Sequence, residues 1–136
     1  MNPKNVIIVC EAAGVTGGAE KVAIDSARGL ADRGLNVTLF AATGPISPTL
    51  EQDPPVNVVL VRERFNVDDY SQKDRVLKGT YDKLSESKFA ELLKGYSAND
   101  TVVHLHLWRF HLTNSILKPL FDSGLPVLTT CHDYGM

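Results

Sequence analysis

Val6-Ile7-Ile8-Val9-Cys10, the break from Glu11 to Gly18, a helical run from Ala19 to Leu30, Gly34, and Asn36-Val37-Thr38-Leu39-Phe40 together decide the fold. The first run is continuously apolar and β-branched, as a parallel strand buried on both faces requires. Its break, Glu11-Ala12-Ala13-Gly14-Val15-Thr16-Gly17-Gly18, is a glycine loop. Beyond it Ala19, Val22, Ala23, Ala27 and Leu30 mark one face of an amphipathic helix, with Lys21, Asp25, Arg28 and Asp32 opposite. Gly34 stops that helix, and 36–40 form a second strand. Strand, loop, helix and strand make a βαβ unit with a right-handed crossover.

The rest of the chain continues the alternation. Residues 43–55 hold Pro45, Pro48, Pro54 and Pro55 and predict a loop, after which Val56-Asn57-Val58-Val59-Leu60-Val61 is a third strand. Val76, Leu77, Tyr81 and Leu84 predict one helical face, and Phe89, Leu92 and Leu93 another. Thr101-Val102-Val103-His104-Leu105-His106 is a fourth strand. A helix carrying Ile116, Leu117 and Leu120 follows, with Pro119 kinking it or confining it to one side and Gly124 as its stop. Pro126-Val127-Leu128-Thr129-Thr130 is a fifth strand. This spacing predicts an α/β fold: an open, doubly wound, mostly parallel Rossmann-like sheet in the order 3-2-1-4-5.

Composition fits one such domain and excludes several classes. The chain has 136 residues and a formal net charge of −2, which argues against a nucleic-acid footprint. No apolar run reaches the roughly 18 residues that a membrane span needs. The short run at 6–10 lacks a signal-peptide cleavage site, so a cytoplasmic location is expected. Residues 62–94 carry half of all charges and predict a solvated, salt-bridged segment. Cys10 and Cys131 each end a strand, and both are expected to be buried thiols. In the order 3-2-1-4-5 they lie about 10 Å apart, beyond the ~7 Å that a disulfide spans.

Ligands of such sheets bind outside the carboxyl ends of the strands. The informative residues gather there. The loop at Gly14, Gly17 and Gly18 opens a helix, where backbone amides and the helix dipole favour an anion. It matches neither G-x-G-x-x-G nor the G-K-[ST] of a P-loop, and no acid follows strand 2 to hold a ribose hydroxyl. A nicotinamide-binding domain and a P-loop NTPase are therefore disfavoured. His104 and His106 share a face of strand 4. With His132 and Asp133 they could form a divalent metal site. The competing reading makes His104 a hydrogen-bonded core residue and lets only His106 reach the cleft. His132-Asp133, at the binding edge after strand 5, is the better functional candidate. Trp108 and Arg109 offer a stacking face and an anion contact, or simply interface packing. His111 has no such company.

These residues resemble family-4 glycosyltransferases of the GT-B fold. The match is carried by Gly17-Gly18-Ala19-Glu20-Lys21-Val22-Ala23, Leu30 through Phe40, Val102-Val103-His104-Leu105-His106, and Gly124 through Tyr134. The resemblance implies a retaining transferase that moves a sugar from a nucleotide-sugar to an acceptor, without a metal or other cofactor. It implies that residues 1–136 are the N-terminal, acceptor-side domain of a GT-B enzyme. By the same resemblance, Gly17 and Gly18 approach the donor diphosphate and His132 is the catalytic contact to the transferred sugar. His106, Trp108, Arg109, Asp133 and Tyr134 then line the acceptor side.

The family's paired-glutamate motif, which belongs to the nucleotide-sugar domain, has no counterpart in this sequence. The chain is thus expected to be a fragment, inactive alone. The implied partners are a nucleotide-sugar donor and a sugar or lipid-linked acceptor in cell-surface glycan or glycolipid synthesis. A lipid-linked acceptor would bring peripheral contact with the inner face of the membrane. Two other readings stay open: a stand-alone anion- or ligand-binding α/β module, and a metal-dependent hydrolase using His104, His106 and His132.

Overall fold

A computed structural model of the chain describes residues 2–15, 17–63, 81–109 and 112–131. The expected faces at Val76 and Leu77, and His111, lie outside the described residues, as do the candidate site residues His132, Asp133 and Tyr134.

Five parallel strands form one sheet in the order β3-β2-β1-β4-β5, as the alternation of the sequence predicts. The strands are β1 Asn5–Ala12, β2 Asn36–Thr43, β3 Asn57–Leu60, β4 Thr101–Leu105 and β5 Val127–Thr129. The register pairs Val6 with Val37 on one side and with Val102 on the other. Ile8 pairs with both Leu39 and His104. β1 is therefore central, and its side chains alternate between two separate cores. Val6, Ile8 and Cys10 pack with α1 (Gly18–Asp32) and the short α2 (Pro48–Glu51). Ile7 and Val9 pack on the other face with α3 (Lys83–Leu93), a 3-10 turn at Asn114–Ile116, and α4 (Leu117–Ser123). There Phe40 and Phe89 meet with ring centroids 4.8 Å apart, well inside the range of favourable aromatic pairs.

Several local expectations shift. The inner face of α1 is Ala23, Ile24, Ala27 and Ala31, whereas Val22 is exposed. Small alanines let the helix approach the sheet closely, and that sets the helix's rotation. Lys21 pairs with Asp25 at 2.8 Å on the outer face as expected. Arg28 does more than pair with Asp32. Its guanidinium also donates to the carbonyls of Thr49, Gln52 and Pro54, tying α1 to the segment before β3.

The proline-rich loop contains α2, with Pro48 at its first position and the Ser47 hydroxyl accepting the Thr49 amide. Tyr81 and Leu84 are exposed rather than on an inward face, because α3 begins only at Lys83. Asp82 caps it, accepting from the Leu84 amide and the Ser85 hydroxyl while bound at two points by Arg62 (2.7 and 3.0 Å). Part of the charged segment is thus a buried ion pair and not a solvated face. Gly34 and Gly124 hold the positive φ values, 91° and 71°, that end α1 and α4. Pro119 lies in the first turn of α4, where no helical hydrogen bond is lost.

Candidate functional site

The parallel register places the carboxyl ends of β1, β4 and β5 along one edge of the sheet. From β1 the chain leaves through Ala13 and Gly14 into the glycine loop. The Ala13 amide donates to the Thr43 carbonyl at 3.0 Å, and the Ala13 carbonyl accepts from Ser47 at 2.8 Å. Gly14 is thereby pressed against the segment after β2: a Cβ there would stand 2.8 Å from the Pro45 carbonyl oxygen. Only glycine fits.

Gly17 and Gly18 have no backbone pressed against them: a Cβ at Gly17 would meet the end of the flexible Glu20 side chain, at 3.2 Å. Gly17 caps α1 in an extended conformation, φ −170°, that any residue can adopt. A Cβ on Gly18 would meet nothing within 4 Å. Both residues are exposed. Making the turn does not require glycine at either place, and what the pair leaves is bare backbone at a helix start. There the N–H groups of the first turn have no helical acceptor.

Two acids that the sequence reading passed over lie beside this loop. Glu11, at the end of β1, is 3% exposed, and its Oε1 accepts the Leu112 amide at 3.5 Å. It links β1 to the segment after β4. Glu20, in the first turn of α1, is 9% exposed, and its Oε2 would lie 3.2 Å from a Cβ at Gly17. The signal for Glu11 was present, since a carboxylate directly follows an apolar strand at the point where the strand order reverses. For Glu20 the signal was its place in the first helical turn beside two glycines. Cys10 lies beneath both acids. Burial, then the charges of Glu20 and Glu11, push its thiol up to about 12. Its Sγ–H donates to the Ala12 carbonyl at 3.2 Å.

Past β4, His106 is buried, 1% exposed, its amide donating to the Val9 carbonyl at 2.9 Å. Its ring lies 4.1 Å, centroid to centroid, from that of His104. His104 is the more exposed of the two, and its Nε2 is 2.7 Å from Thr130 Oγ1. The reading that lets only His106 reach the cleft had these exposures reversed. A residue one step beyond the strand is still covered by the loops that follow it, while His104 faces the α1 side, where none of the described helices lies over β4.

Trp108 packs against the core below α3 and α4, and its buried indole Nε1 has no hydrogen-bond partner among the described residues. Its carbonyl accepts the Thr113 amide at 2.8 Å, closing the loop that carries Arg109. Cys131, expected to be buried, is exposed, because β5 is a short edge strand with little of the described chain packed around it. Among the described residues, no three His, Cys, Asp or Glu side chains are arranged to hold a metal ion. None of the described helices is long and apolar enough to cross a membrane.

The structure thus brings Gly17, Gly18, His106, Trp108 and Arg109 to one edge of the sheet and adds Glu11 and Glu20. The family model described as Glycosyltransferase Family 4 matches residues 16–136. No curated protein sequence matches the chain. Among solved structures, the chain is similar to the C-terminal domain of a hydrogenase from Pyrococcus furiosus. That similarity has a TM-score of 0.61 at 18% identity, covering 96% of this chain and 94% of that one. At that identity the likeness speaks to the fold alone, an α/β sheet of this kind.

Proposed function

We infer the function of this chain from one premise: it belongs to glycosyltransferase family 4. It is a glycosyltransferase domain, and we propose that it serves as the acceptor-side, N-terminal half of a GT-B enzyme. The observation that carries this reading is the Gly17-Gly18 pair. Neither glycine is needed for the turn, yet together they leave the first amides of a 15-residue helix open at the ligand-binding edge.

In this reading those amides meet the diphosphate of a nucleotide-sugar. His132 contacts the transferred sugar, where a polar group responds to the charge developing at the anomeric carbon. His106, Trp108, Arg109, Asp133 and Tyr134 line the acceptor side, Trp108 through its ring face and Arg109 through its charge. A donor and a sugar or lipid-linked acceptor are the only partners the reading requires. No cofactor takes part.

The test is transfer by the complete gene product, with UDP- and GDP-sugars as donors and a glycan or glycolipid extract as acceptor. Sugar incorporation is expected. His132→Ala is expected to lower turnover at least about 100-fold, the loss typical of an acid–base or electrostatic group. Near-normal turnover in that variant removes His132 from the mechanism, and absence of transfer from every donor removes the reading.

A further inference from the structure

The glycine loop holds a charged group that the proposed function leaves without a task. Glu20 is 9% exposed, and its carboxylate forms no hydrogen bond or ion pair with the other described residues. The helix dipole at the start of α1 favours a negative charge at that place. The familiar structural role for an acid at the third helical position is to accept the amide of the capping residue. Glu20 makes no such bond to Gly17. Instead its Oε2 occupies the space that a side chain at Gly17 would need, 3.2 Å from the Cβ position. Glycine at 17 thus keeps a carboxylate, and not only an amide, open to whatever enters the loop.

We propose that Glu20 is a specificity-determining residue of the glycine loop, accepting a hydrogen bond from a neutral hydroxyl of the bound sugar. The proposal rests on the glycosyltransferase reading and deepens it. An ionised carboxylate only accepts hydrogen bonds, so its partner must carry a donor. A sugar hydroxyl does so. A phosphate oxygen at neutral pH does not, and it repels the charge at close range. The loop is therefore divided: exposed amides at Gly18 and Ala19 suit an anion, while the side toward Glu20 suits a hydroxyl and excludes phosphate.

The experiment uses the 15N-labelled chain with glucose, mannose and N-acetylglucosamine as neutral probes and inorganic pyrophosphate as the anion. At least one sugar is expected to move the amides of Gly17, Gly18 and Glu20. Glu20→Gln keeps size and shape and removes the charge. It is expected to weaken that sugar about tenfold and to strengthen pyrophosphate by a similar factor, the worth of one charge-assisted hydrogen bond. Glu20→Asp, with the carboxylate drawn back by one methylene, is expected to fall between. It carries the test if the Gln variant shows a disturbed spectrum away from the loop.

Equal binding of sugar and of pyrophosphate by wild type and variant overturns the proposal. So does a sugar that moves Trp108 and Arg109 but leaves the loop unmoved. Failure of the glycosyltransferase reading looks different: no probe moves any amide along the whole edge, residues 106–109 included, and this overturns both.

Discussion

The two halves of the sheet are built to different standards. On one side of centre, β1 and β2 each run eight residues with seven of them buried, and α1 covers them. On the other side, β5 is three residues long and every one of them is exposed. The α1 side of β4 and β5 carries an open groove of about 490 Å³ bordered by Val6, Leu30, Val102, His104 and Leu128. Crossover handedness accounts for the difference. Right-handed connections from β1 to β3 place helices on one face, and those from β3 to β5 place them on the other. The glycine loop and Glu20 thus stand on the closed half, and the loop after β4 stands where the closed half meets the open one. A site at that join has one rigid wall and one less supported wall.

Thiol chemistry separates the halves most sharply. Cys10 is buried and its thiol is pushed up to about 12, whereas Cys131 is exposed. At pH 8 only about one Cys10 in 10⁴ would be a thiolate even if reagent could reach it. Labelling with a thiol-reactive disulfide is expected to modify one cysteine quickly in the native chain. The second should follow at least about 1,000-fold more slowly, and both should react fully in denaturant. Equal native rates would mean that the closed half opens as readily as the edge.

A second test works on the pin at the far side of the closed half. Burial raises the Asp82 carboxyl, but hydrogen bonds from Arg62 and Ser85, the charge of Arg62 and the Leu84 amide outweigh it and hold the group below its ordinary value. A carboxyl depressed in the folded state stabilises fully above its unfolded value of about 3.9 and loses that contribution as pH falls through the folded value. Asp82→Asn can still cap α3 but removes the charge facing Arg62. Denaturant unfolding at pH 7 is expected to show a loss of about 2–3 kcal/mol. The gap between wild type and variant should close as the pH is taken below about 4. A gap near zero already at pH 7 would show that the ion pair adds nothing and only the cap matters.

The legibility of the two halves in the sequence follows the same physics. Val6 to Cys10, Gly34 and Gly124 could be read correctly because their signals are local: unbroken apolar runs for a strand buried on both faces, and positive φ at a helix end. Strand order followed from the alternation of strands and helices. Arg28, Glu11 and Glu20 were misread or passed over because the burial of a charged side chain is decided by what the tertiary fold brings against it. Periodicity counts apolar residues and says nothing of that. The reading that lets only His106 reach the cleft reversed the exposures of His104 and His106 for a related reason. Alternation assigned their shared face correctly, but whether that face has a helix over it is a property of the topology. Gly14 was noticed as part of a motif, while its actual constraint, the Pro45 carbonyl, comes from a loop 31 positions away.

The smallest expected effect is the most informative about the open half. Leu128 sits in β5 with 57% of its surface exposed, opposite His104 in the register. Truncation of a core leucine leaves a cavity and costs about 2–5 kcal/mol. At Leu128 more than half of the side chain already contacts solvent, and the neighbours on the α1 side line a groove rather than a packed layer. Leu128→Ala is therefore expected to change stability in denaturant unfolding by less than about 0.5 kcal/mol, the range of ordinary surface substitutions. The comparison depends on that number being small. A loss above about 1.5 kcal/mol would place Leu128 among well-packed positions and mean that the α1 side of β4 and β5 is covered in solution. The contrast between the two halves would then belong to the isolated sheet and not to the protein at work.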